Sequence, residues 1–89
     1  MKTPWGKMWT LIHTKNFWLK IIHVRMGHRT SLQYHNFRDE WHISIRGIKF
    51  VPSGTVHRMR SGFYLELAYG PNIRESDIVR VADDYNRSN

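Results

Sequence analysis

Hydrophobic and polar residues alternate with a period of two along most of the chain, and the three-to-four spacing of an amphipathic helix is scarce. Met8 to His13 and Phe17 to Met26 are rich in Trp, Ile and Val, and Thr14-Lys15-Asn16 between them reads as a turn. The pattern therefore predicts an N-terminal hairpin, which Gly27 breaks off. From Ser31 to His35 the alternation sets Ser31, Gln33 and His35 on one face and Leu32 and Tyr34 on the other. Glu40 to Arg46 sets Glu40, His42, Ser44 and Arg46 against Trp41, Ile43 and Ile45 in the same way. Gly47 ends that strand, Ile48 to Val51 predicts the next, and Pro52-Ser53-Gly54 turns the chain. Val56 to Arg60 predicts a further strand, Ser61-Gly62 a turn, and Phe63 to Tyr69 a strand closed by Gly70-Pro71-Asn72. Helical spacing is possible only at Glu75 to Val81, where Ser76 or Asp77 would cap a short turn. Many short strands joined by tight turns predict an all-β sandwich or small barrel.

Composition narrows this to one domain, 1–89, with no linker and no internal repeat. A chain of this size buries only about 60 to 65% of its unfolded surface, so a subunit partner or a bound metal would help to stabilise it. There is no cysteine, which removes disulfides and thiolate metal sites and fits a reducing compartment. The longest uncharged apolar runs, Phe17 to Leu19 and Ile21 to Ile22, are too short to span a bilayer or form a signal-peptide core. The expectation is a soluble, cytoplasmic protein with no membrane partner.

A formal net charge of +7 points to an anionic partner. Nucleic acid is the first class to consider, but the 14 basic residues run from Lys2 to Arg87 with no run of three and no helix-turn-helix or RNP-like pattern. A basic β-rich nucleic-acid binder is thereby disfavoured, and a small phosphorylated ligand fits dispersed charge as well.

Candidate chemistry concentrates in GHRTSLQYHNFRDEWHISIRG, residues 27–47. Gln33 and His35 lie at i and i+2 of one strand and so point the same way, and a turn at Asn36 to Asp39 returns Glu40 on the adjacent strand. PSGTVH adds His57. Two imidazoles, a carboxylate and an amide oxygen form a nitrogen and oxygen donor set suited to one divalent Zn, Mn, Fe or Ni ion. His13, His23 and His28 carry no such pattern, whereas His42 shares a face with Glu40 and is placed to support it.

The spacing G-x5-[H/Q]-x-H-x4-E-x6-G followed by P-x-G-x2-H resembles the two cupin motifs. TPWGKMW, SLQYHNFRDEWH, VPSGTVHR and ESDIVRVADDYNR are similar, in that order, to type II phosphomannose isomerases, including the domain that follows mannose-1-phosphate guanylyltransferase in bifunctional enzymes. The resemblance implies a minimal cupin, that is a double-stranded β-helix or jelly-roll barrel, with Gln33, His35, Glu40 and His57 as metal ligands. It also implies a reversible mannose 6-phosphate to fructose 6-phosphate isomerisation through an enediol. Lys20, Arg29 and Arg80 fall where the family tends to be basic. Arg29 and Arg80 are the candidate substrate-binding residues, and His42 and Lys20 the candidates for proton transfer. The departures are Thr3 where an arginine usually precedes PWG, Phe37 in place of a histidine, Ala68 in place of a glutamine, and a much shortened segment between the motifs. Missing inter-motif strands would leave the apolar face of Trp41, Ile43 and Ile45 uncovered, which predicts a homodimer. The same shortening supports an alternative, a non-catalytic mini-cupin that binds metal and a sugar phosphate or similar anion without turning it over.

Overall fold

The computed structural model describes residues 2–87 and contains eight strands and, among those residues, no helix. They are β1 (Lys2–Thr3), β2 (Gly6–His13), β3 (Phe17–Arg29), β4 (Leu32–Tyr34), β5 (Asp39–Ser44), β6 (Gly47–Val51), β7 (Arg60–Tyr69) and β8 (Val79–Ala82). A six-stranded antiparallel sheet has the order β1-β2-β3-β7-β5-β6, and β4 pairs with β8 in a second, two-stranded sheet. This is a small cupin-like all-β fold in which the large sheet presents one face to the interior and the other outward.

Alternation along β3 decides which residues go inside: Trp18, Lys20, Ile22 and Val24 are buried, and the residues between them are only partly so. Trp5, Ile22, Val24 and Met59 form one apolar cluster, and Trp18, Ala68 and Ile73 another. On β5 the polar face is the inner one. Glu40 and His42 are buried, while Trp41 and Ile43 look outward. Cross-strand pairing extends that outer face into two rows without a charged residue, Trp9-Ile21-Leu65-Ile43-Ile48 and Leu19-Leu67-Trp41-Phe50.

Three expectations are corrected. The segment 75–81 forms no helical turn: turns lead into β8, where β-branched Val79 and Val81 suit a strand and Arg80 pairs with Gln33 on the otherwise open β4. Val56 to Arg60 is not a full strand, because only His57 bridges to Gln33, through reciprocal hydrogen bonds of 2.7 and 2.8 Å. Gly27 and Gly62 do not end their strands. With φ of 79° and 136° they take backbone conformations that other residues avoid, and β3 and β7 run on through an irregular register between Val24 and Arg29.

Candidate metal centre

The short β4 and the start of β5 deliver His35 and Glu40 to one point, and the turn after β6 delivers His57. That turn is tied down by Gly54 N donating to His35 O at 2.6 Å and Ser53 N to Asp39 Oδ1 at 2.7 Å. The Gln33–His57 bridge then aims the imidazole inward. Nε2 of His35 lies 3.4 Å from Glu40 Oε2, and Nε2 of His57 lies 3.5 Å from Glu40 Oε1. All three side chains are buried, and their ligand atoms lie within 4.8 Å of one another.

Both imidazoles are oriented so that Nε2, the nitrogen a metal at this point would take, is turned inward. Their Nδ1 atoms face backbone carbonyls, Asp77 O at 2.7 Å for His35 and Thr55 O at 3.0 Å for His57. A carbonyl only accepts, so each Nδ1 carries a proton, and Nε2 is the ring nitrogen turned toward Glu40. Burial lowers His35 to about 4, so the ring is neutral at pH 7. Burial alone would raise Glu40, but hydrogen bonds from His42 and His57, His35 whenever it is protonated, and the Arg38 guanidinium hold it well below the usual carboxylate range. Two imidazoles and one carboxylate fit a divalent transition metal. Gln33 stands beside them and lines the adjoining cavity, with its Oε1 accepting from Ser31 Oγ.

The other sequence candidates fall into two groups. His42 is buried, and its Nε2–H donates to Glu40 Oε1 at 2.8 Å. Lys20 is buried on β3, with Nζ 2.6 Å from Glu75 and 3.7 Å from the centre of a Trp18 ring. Lys20 and Arg80 both line a cavity of about 240 Å³ that reaches Gln33 and His57. Arg29 instead makes a bidentate pair with Asp84 at 2.8 and 3.0 Å, away from that cavity.

Three residues of the site escaped the sequence reading. Arg38 is buried, donates from Nε to Glu40 Oε2 at 2.8 Å and reaches His35 Nε2 with Nη2 at 3.3 Å. Glu66 on β7 lies opposite both Lys20 and His42 and accepts from Trp18 Nε1 at 2.8 Å. Burial and the nearby charge of Glu40 push it up to about 8, so it is protonated at neutral pH. Asp77, read as a helix cap, accepts instead from the backbone N–H groups of Asn36 and Phe37, each at 2.9 Å, while its carbonyl orients His35. The signal for Glu66 was a carboxylate among the apolar residues of Phe63 to Tyr69, where charge is expensive to bury.

A small cupin-like barrel with a buried histidine and glutamate cluster defines the class. Residues 1–61 match the family model described as mannose-6-phosphate isomerase C-terminal, and the chain belongs to that family. It is 27% identical to a mannose-1-phosphate guanylyltransferase of Sinorhizobium fredii, over 91% of this chain and 20% of the relative. It is 29% identical to the xanthan biosynthesis protein XanB of Xanthomonas campestris, over 96% and 23%. Against the alginate biosynthesis protein AlgA of Pseudomonas syringae pv. tomato the values are 30%, 97% and 22%. The chain thus spans about a fifth of the length of the curated relatives it matches. The aligned span of 103 positions exceeds the 89 residues of the chain, so the first of these relatives carries residues that this one lacks. No solved structure matches the chain. Among the described residues no helix is long and apolar enough to cross a membrane.

Proposed function

We propose that this domain is a metal-dependent sugar-phosphate isomerase that interconverts mannose 6-phosphate and fructose 6-phosphate in the cytoplasm. The observation that carries the reading is the convergence of His35, Glu40 and His57 beside a cavity that also holds Lys20, Glu66 and Arg80. His35, Glu40 and His57, with Gln33 beside them, would hold the ion. When bound, a divalent ion supplies Lewis acidity toward sugar oxygens. Lys20 and Arg80 supply positive charge for the phosphate or for the oxyanion of the enediol. The proton that leaves C2 must return to C1, and His42 and Glu66, 3.8 Å apart and both facing Glu40, form a path for it. In this reading His42 takes up the proton from C2, Glu66, which enters neutral, gives one to C1, and transfer from His42 to Glu66 restores both groups.

The domain works as a homodimer in this reading, with the uncharged outer rows of the large sheet facing a second copy. Their lack of charge lets two chains of net charge +7 meet without repulsion at the contact.

Purified untagged protein is expected to contain about one equivalent of transition metal, and His35→Ala or His57→Ala to lose it. Metal-replete protein should form fructose 6-phosphate from mannose 6-phosphate in a coupled assay. No metal in the wild type sinks the site, while metal without turnover of any hexose phosphate leaves the second reading, a mini-cupin that binds a sugar phosphate. The shortened inter-motif segment is what favours that alternative. Affinity for RNA or DNA that falls steeply with salt and ignores chelation would count against both readings.

A further inference from the structure

The inner polar face of β5 does not stop at the candidate metal centre. Alternation carries it from Glu40 and His42 to Ser44, Arg46 follows in the hairpin turn, and Lys49 on β6 lies directly opposite His42 on the same face. The chain passes from β5 to β6 in a tight turn, no further strand of the described residues is inserted between them, and a cleft of about 350 Å³ opens on this side. Four cationic side chains line it: Arg46 and Lys49 from the hairpin, Arg58 and Arg60 from the segment that enters β7. His42, Ser44 and Tyr64 complete the polar wall, and no carboxylate lines the cleft. Asp84, whose pKa Arg58 helps to lower, is already engaged by Arg29.

Four cations gathered in a cleft with no carboxylate in its wall repel one another, and a bound anion relieves that cost. Two details point to a compact oxyanion. Arg58 Nε is buried with no hydrogen-bond partner among the described residues, a donor whose desolvation nothing offsets. The Arg46 guanidinium is fixed rather than waving in solvent, because Nη2 donates to Ser61 O and the group lies 5.9 Å from the Tyr64 ring centre. A fixed arginine fork, a lysine and a serine hydroxyl match a tetrahedral dianion. An extended nucleic acid needs a longer track and several stacking faces, whereas Tyr64 and the buried His42 are the two aromatic rings lining the cleft.

We propose that this cleft is a binding site for a phosphomonoester group, separate from the cavity beside His35 and His57 that holds Lys20 and Arg80. It does not depend on isomerisation and stands if the chain proves to be a binder without turnover.

The test is a titration of the whole domain with inorganic phosphate and with mannose 6-phosphate, following the arginine Nε–H resonances by NMR and affinity by calorimetry at fixed ionic strength. Arg58 Nε–H is expected to shift on saturation. The R46Q/K49Q double variant, at exposed positions, should weaken phosphate at least tenfold, and R58Q should do the same. The K2Q/K7Q control removes equal charge from the far sheet edge and should change affinity less than twofold. Equal weakening in both double variants, a silent Arg58 resonance, or loss confined to Lys20→Gln would overturn the proposal. So would a short oligoribonucleotide that binds more tightly than either phosphate ligand and displaces it from Arg58.

Discussion

His35 and Glu66 are both kept neutral by burial, and their contributions to stability run in opposite directions with pH. In metal-free protein His35 has its pKa lowered from 6.5 to about 4, so unfolding lets it take up a proton and stability rises with pH across that interval. Glu66 is raised from 4.5 to about 8, so unfolding lets it release a proton and stability falls as pH climbs toward 8. Between pH 6.5 and 8 only the second effect of this pair remains. The unfolding free energy of chelated protein is expected to fall over that range by at most about 1.4 kcal/mol per pH unit, read as a lower thermal midpoint, and Glu66→Gln to flatten the curve. An unchanged slope in the variant would place the titration elsewhere. His35, Glu40 and His57 were legible in the sequence because strand alternation and a turn fix where they point. Arg38 was not, since an arginine in a turn reads as solvated, and only the folded chain reveals Glu40 and Trp18 around it.

The β7–β8 connection does more for the centre than its turn-rich sequence discloses. Gly70 passes so close to Phe37 O and to Arg38 that a Cβ there would meet backbone, and its N–H donates to Asn16 O at 2.9 Å. Gly70→Ala should therefore destabilise the fold by about 1–3 kcal/mol through overpacking, read as a lower thermal midpoint. Asp77→Ala removes the acceptor for two backbone N–H groups in the turn that precedes β5, a loss of about 1–3 kcal/mol, and should weaken metal affinity as well. Asp77→Asn, which keeps one acceptor oxygen, should recover part of both. The segment 75–81 looked helical because Ile78, Val79 and Val81 offer apolar surface at loose helical spacing. The vacant edge of β4 outweighed that weak local preference, and a single sequence gives no direct sign of which distant edge needs a partner.

At the scale of the molecule, the outer face joins exposed Trp9, Ile48, Phe50 and Phe63 to the partly buried rows between them. An apolar surface of that extent is costly to leave in water. Sedimentation should report a dimer, and the W41K/I43E double variant a folded monomer that retains its metal. A wild-type monomer would refute the pairing of the two copies. Removal of the metal has a different expected outcome. Arg38 already supplies a positive charge to Glu40, so chelation should leave circular dichroism native and shift the thermal midpoint by only a few degrees, unlike small metal domains that unfold when emptied. Loading the site then becomes an exchange of one cation's hold on Glu40 for another's. If the proposed ion binds, the Arg38 guanidinium is what would hold Glu40 in its absence, and the emptied domain would stay folded around a centre already balanced in charge.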